Sequence, residues 1–170
     1  MKRLSMPIDR RALLASAAAL AACSAAPSAS TAKAGPDPFA TSPWRKLTPA
    51  DWKQRLPGPS FDVLRQEGTE IAFTSPLNNE HRHGTFVCLG CGLPLFKSEW
   101  KFDSGTGWPS FYTEIPGALG KKADFQIVEE RTEYHCAQCL GHQGHVFNDG
   151  PQPTGLRYCN NGVALKFIPS

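Results

Sequence analysis

The chain has 170 residues, 41% of them hydrophobic, with 18 basic and 15 acidic side chains and a formal net charge of +3. That length suits one domain and something besides. Lys2, Arg3, Arg10, Arg11 and Asp9 all fall in the first 22 residues, so the remainder carries 14 basic and 14 acidic side chains with no basic cluster, which excludes charge-driven binding of nucleic acid or of an anionic membrane surface.

Met1 to Arg11 is charged, Ala12 to Ala22 is apolar but too short to span a bilayer as a helix, and small residues precede Cys23. This order is that of an export signal, here residues 1–22. Leu20-Ala21-Ala22-Cys23 resembles a bacterial lipobox, which implies cleavage before Cys23 and a lipid on its sulfur. Arg10-Arg11 resembles a twin-arginine signal. The rival reading is an uncleaved alanine-rich tail. The expectation is an exported lipoprotein at the periplasmic face, attached to the membrane by its lipid anchor only.

Residues 23–43 hold the lipidated cysteine and a stretch rich in Ala, Ser, Pro and Thr. Such a segment buries too little to order itself and reads as a flexible tether reaching ~25 Å. Residues 44–170 form the domain. Thr48 as N-cap, Pro49 at the first helical position and Asp51 in the first turn predict a helix that Pro57 and Pro59 stop. A second helix is expected over Ser60–Glu67, closed by Gly68. Residues 69–84 have no clear period.

From Thr85 the pattern turns to short β-like runs with turn residues between them: 85–87, 95–97, 110–112, 125–128, 133–136, 145–148, 156–159 and 164–168. They predict a mainly β domain of antiparallel sheets, a small barrel or sandwich, behind short N-terminal helices.

Cys88-x-x-Cys91 and Cys136-x-x-Cys139 each have the spacing that grips one tetrahedral zinc from a tight turn. The 44 residues between the pairs would make the metal a staple between distant hairpins. Two disulfides or two redox pairs are the rivals. Two matched pairs in one small domain favour a single structural zinc.

Four cysteines for a metal and Cys23 for a lipid leave Cys159. It reads either as a small buried hydrophobe or as a reactive thiol. A strand would put Arg157, Cys159 and Asn161 on one face, and a neighbouring arginine lowers a thiol's pKa. His142 and His145 lie on the preceding run. Taken alone they read as structural or solvated residues, or with Cys159 as a second metal site. Asp149 alone reads as a turn residue, and Trp108 alone as core.

Together the residues are more specific. Phe102-Asp-Ser-Gly-Thr-Gly-Trp108-Pro-Ser-Phe111, Arg131-Thr-Glu, Gly141-His142-x-Gly-His145-Val-Phe-x-Asp149-Gly-Pro and Arg157-Tyr-Cys159-x-Asn161-Gly come in one order with the cysteine pairs. The chain thereby resembles the methionine-R-sulfoxide reductases from about Leu47 to Pro169. The resemblance implies two antiparallel sheets stapled by a Cys₄ zinc, one per chain, in a monomer.

It also implies roles: Cys159 as nucleophile, His142 or His145 as general acid, Asn161 holding the polar group, Trp108 and Phe111 binding substrate, and Arg157 and Asp149 supporting them. The substrate implied is methionine-R-sulfoxide in oxidised proteins, and the product on the enzyme is a sulfenic acid. Many relatives carry a recycling cysteine two residues before the tryptophan. Thr106 stands there, which implies an external thioredoxin-like thiol. A non-catalytic module holding a small ligand around Trp108 is the competing function.

Overall fold

The computed structural model describes residues 35–125 and 131–170. The signal, Cys23 and the first part of the tether lie outside them. The compact unit begins at Pro36. Asp37 pairs with Arg45 at 2.6 Å, and Arg45 in turn donates to the carbonyls of Ala137 and Gln138.

Helix α1 covers Pro49–Arg55 and starts as its residues dictate. Thr48 Oγ1 accepts the Asp51 N–H, and the Asp51 carboxylate accepts the Thr48 N–H, a reciprocal capping box. Helix α2 covers Gly58–Gln66 and ends on Glu67, whose φ of 56° takes the left-handed turn expected of the next glycine. Trp52 of α1 and Phe61, Val63 and Leu64 of α2 are buried, so the helices pack through one apolar face each.

Nine strands follow among the described residues. A three-stranded sheet has the order β2-β1-β9, with β1 Gly84–Cys88, β2 Pro94–Lys97 and β9 Leu165–Pro169. A six-stranded sheet has the order β3-β4-β8-β7-β6-β5. Its strands are β3 Lys101–Phe102, β4 Ser110–Phe111, β5 Leu119–Asp124, β6 Arg131–Cys136, β7 His142–Phe147 and β8 Arg157–Asn160. All pairings are antiparallel.

The larger sheet ends in β3 and β5 and does not close, so the barrel alternative gives way to a sandwich. Of the run expected over 125–128 only Phe125 is described, exposed after β5 closes at Asp124; residues 126–130 lie outside those described.

The core between the sheets is aromatic. Phe96 of the small sheet stacks on Phe111 of the large one, with centroids 4.2 Å apart and planes at 6°. Phe86, Tyr134 and Tyr158 meet them edge-on or tilted. Each such ring contributes about 2 kcal/mol by burial, with up to ~1 kcal/mol more from ring geometry.

One irregularity decides what the outer face of the large sheet presents. Along β6 and β7, Glu133 opposes His145 and Tyr134 opposes Gly144, yet His135 opposes His142. The extra residue on β7 is Gln143. In a regular strand, residues three apart face opposite sides. The bulge restores His142 and His145 to the same side, with their rings 5.4 Å apart.

Candidate active site

Cys159 lies in the middle of the large sheet. Across β7–β8 it opposes His145, and across β4–β8 it opposes Ser110. Direct antiparallel partners share a face, so the thiol and the imidazole are neighbours by register. They line a pocket of about 140 Å³ with Trp108, Arg131 and Asn161. That volume suits a single side chain rather than a nucleotide or a drug-sized ligand.

Trp108 is held from two sides. Its Nε1–H donates to the carbonyl of Glu70 at 2.9 Å. The preceding Gly107 has a φ of +90°, and a Cβ there would meet the backbone and ring of Phe73 at 2.8 Å. Only glycine fits that turn. Its carbonyl accepts from the Phe73 N–H and from Asn78 Nδ2.

Gly144 is required by close approach instead. A Cβ on it would meet the carbonyl oxygen of Cys159 at 1.9 Å.

Both histidines are paired with carboxylates. His145 Nε2 lies 2.7 Å from Asp124 Oδ2, and Arg131 holds the same oxygen at 2.7 Å. Burial pushes the His145 pKa down, helped by the positive charge of Arg131, while Asp124 offsets this only in part. His142 Nδ1 lies 2.8 Å from Glu133 Oε1, and His135 Nδ1 lies 3.1 Å from the other oxygen. Burial would raise the Glu133 pKa, but hydrogen bonds and charge from His135 and His142 hold it at about 2. Among the described residues His142 Nε2 is buried without a partner, and His142 lines a small polar cavity together with His145.

The thiol departs from the sequence expectation. Burial raises the Cys159 pKa above its ordinary value, and Arg157 and Thr106 lower it less than burial raises it. Arg157 is shared with other groups: Nε and Nη2 both lie 2.8 Å from the Asp149 carboxylate, and the guanidinium covers the Phe147 ring at 4.3 Å. Asp149 and Arg157 thus brace the segment leading into β8.

Asn161 is buried with its polar atoms in use. Its Oδ1 accepts the Glu70 N–H at 2.8 Å and its Nδ2 donates to the Gln143 carbonyl at 2.9 Å. Phe111 is the residue that sequence reasoning placed in the pocket and the structure does not. It pairs with Tyr158, on the opposite face of the sheet from Ser110 and Cys159, and is fully buried in the aromatic core. Strand alternation is the physical reason.

The four cysteines converge as expected. Their sulfurs all lie within 4.8 Å of one another, with Cys88–Cys139 at 3.6 Å and Cys91–Cys136 at 3.5 Å. A tetrahedron of metal–sulfur bonds near 2.3 Å has edges of about 3.8 Å, so the site fits one metal ion. Cys88 closes β1 and Cys136 closes β6, so the ion would join the two sheets. Gln143 Nε2 donates to Cys88 Sγ at 3.4 Å, Arg65 donates twice to the Cys139 carbonyl, and the Trp52 ring covers the Gly90 turn.

Glu70, Asp124 and Glu133 were missed as functional residues. Glu133 had a signal: an acid between Arg131 and His135 on alternate strand positions needs buried partners. Asp124 and Glu70 had none in the sequence.

A family model described as the SelR domain matches residues 56–169. Over 118 residues the chain is 52% identical to a peptide methionine sulfoxide reductase MsrB of Leptospira interrogans, covering 69% of this chain and 90% of that protein. It is 47% identical over 130 residues to a protein of the same name from Agrobacterium fabrum, covering 76% and 96%. A Pseudomonas putida relative, also so named, is 52% identical over 120 residues, covering 70% and 90%.

Proposed function

This chain belongs to the SelR-domain family of B-type peptide methionine sulfoxide reductases, and we propose that it reduces methionine-R-sulfoxide in oxidised exported proteins with an external thiol as final reductant. The observation that carries the reading is the facing pair of Cys159 and His145 in a side-chain-sized pocket beside Trp108.

A sulfoxide sulfur is a poor electrophile until its oxygen gains a proton. The raised thiol pKa and lowered imidazole pKa make the resting pair a neutral thiol beside a neutral imidazole. With Nε2–H given to Asp124, Nδ1 of His145 is the acceptor. The Cys159 proton passes to His145 and on to the sulfoxide oxygen as the sulfur attacks the substrate sulfur. The S–O bond and the new bond between the two sulfurs then break as the hydroxyl passes to the Cys159 sulfur, and methionine departs with the electron pair. Cys159 has been oxidised to sulfenic acid and the substrate reduced. Trp108 receives the S-methyl group on its ring, and the buried Asn161 fixes the loop that carries the pocket floor.

Thr106 stands where an internal recycling cysteine would be needed. One external thiol, of a thioredoxin-like partner, condenses with the sulfenic acid and releases water. A second thiol then splits the mixed disulfide and restores Cys159.

Zinc is the ion that four thiolates at this spacing suit, held by Cys88, Cys91, Cys136 and Cys139. It is redox-inert and supplies a cross-link. The N-terminal residues support an exported, periplasm-facing lipoprotein anchored through Cys23, and the domain works as a monomer. Cys159→Ser tests the function. It should abolish reduction of methionine-R-sulfoxide with the domain still folded, while wild-type enzyme leaves the S epimer untouched. Turnover by the variant would refute the assignment.

A further inference from the structure

Among the described residues, Gln143 is a fully buried polar side chain that the chemistry above leaves unused. Gln143 is the extra residue of the β7 bulge and has no exposed surface. Its side chain spans two sites. Nε2 donates to Cys88 Sγ at 3.4 Å, and Oε1 accepts from Asn160 Nδ2 at 3.4 Å. Its backbone carbonyl accepts from both the N–H and the Nδ2 of Asn161, at 2.8 and 2.9 Å. Asn160 is held further by the Tyr134 hydroxyl at 2.9 Å. The two residues after Cys159 are therefore anchored on Gln143, and Gln143 is anchored on a sulfur of the metal cluster.

We propose that Gln143 is a positioning residue that couples the four-sulfur metal centre to the Cys159 strand. The inference deepens the reductase reading and rests on it. A metal-bound sulfur is a thiolate and accepts a stronger hydrogen bond than a neutral sulfur. Metal binding thus fixes the Gln143 amide, which fixes Asn160, and the bulge carbonyl fixes Asn161. Through them the metal sets the register of Cys159 against His145. A core packed only by apolar groups would transmit no such orientation, because dispersion contacts are not directional. The placement also accounts for an amide at this buried position, where an unsatisfied one is destabilising.

The test compares metal-loaded wild-type protein with Gln143→Leu and Gln143→Met, the second keeping the length of the side chain without its donor. Each variant should bind one zinc per chain but release it to a chelator about 10-fold faster, as expected when a partner of a ligand is lost. kcat should fall about 10-fold with KM within twofold, and hydrogen exchange at residues 159–162 should rise while that of β1 and β2 stays as in wild type. A residue that merely fills the core would lower Tm and leave metal release, kcat and the local exchange unchanged, and that result in a folded variant overturns the proposal. Should Gln143→Leu fail to fold, Gln143→Met gives the same readouts. If neither folds, the wild type decides: slow chelation must raise exchange at 159–162 before global unfolding, and protection lost only with the whole domain overturns the coupling. Inactive wild-type enzyme would instead sink the reductase reading, which the metal-release measurement does not depend on.

Discussion

His145 and Cys159 oppose each other across β7 and β8, an imidazole whose pKa burial lowers against a thiol whose pKa burial raises. The pairing is set by strand register, with Gly144 allowing the backbones to meet and Asp124 fixing the ring from behind. A side chain placed by a ladder moves little, which is what proton transfer between facing groups requires.

The protonation states predict the pH profile. The active form needs neutral His145 and protonated Cys159. Because His145 titrates below 6.5, kcat/KM should fall on the acid side only beneath that value; because Cys159 titrates above 9.0, the alkaline limb should lie above it. Initial rates from pH 5 to 10 check this, as does the alkylation rate of Cys159, which should still be rising above pH 9. A thiol alkylated at a pH-independent rate through neutrality would contradict the raised pKa.

The two histidines should separate under mutation. His145→Ala should lower kcat by roughly 10²–10⁴-fold, the range for losing a proton-transfer group. His142→Ala should act more weakly on kcat, because His142 lines the small polar cavity and pairs with Glu133. Equal losses in both variants would show that the proton path runs through both rings.

Phe111 and Trp108 should divide between stability and binding. Phe111→Ala opens the aromatic core and should destabilise the domain by about 3–5 kcal/mol, with KM of the folded fraction unchanged. Trp108→Ala should raise KM and blunt the preference for the R epimer while lowering Tm little. Denaturant titration beside steady-state kinetics distinguishes them.

Glu133 gives an acid signature. Its pKa of about 2 lies below the ordinary 4.5, so its contribution is present above pH 4.5 and is lost as pH falls toward 2. The displacement converts to ~3 kcal/mol and, discounted for screening, to about 2 kcal/mol. Glu133→Gln should therefore be less stable than wild type at pH 7 and close to it near pH 2, measured by urea unfolding.

Metal removal should be disruptive. Chelation, or Cys136→Ser, should lower Tm by roughly 10 °C or more, since the ion joins the two sheets. One zinc per chain and four thiols shielded from alkylation are expected. Two disulfides in the purified protein would remove the metal centre.

The sequence by itself determined what is local or fixed by spacing: the Thr48–Asp51 cap, the two Cys-x-x-Cys grips and the isolation of Cys159 as the unassigned thiol. These depend on side-chain chemistry within a few residues, so a one-dimensional reading suffices. Tertiary structure decided the rest. The bulge at Gln143, which turns His142 and His145 to one face, comes from the register between β6 and β7. The carboxylates of Asp124 and Glu133 reach the histidines only across strands. Phe111 goes to the core and Ser110 to the thiol because their pairing with β8 fixes which face is which. The Cys159 pKa moved opposite to expectation because desolvation outweighs what Arg157, itself shared with Asp149, restores. Register, burial and competition for partners are properties of the assembled sheet, and no single strand's sequence contains them.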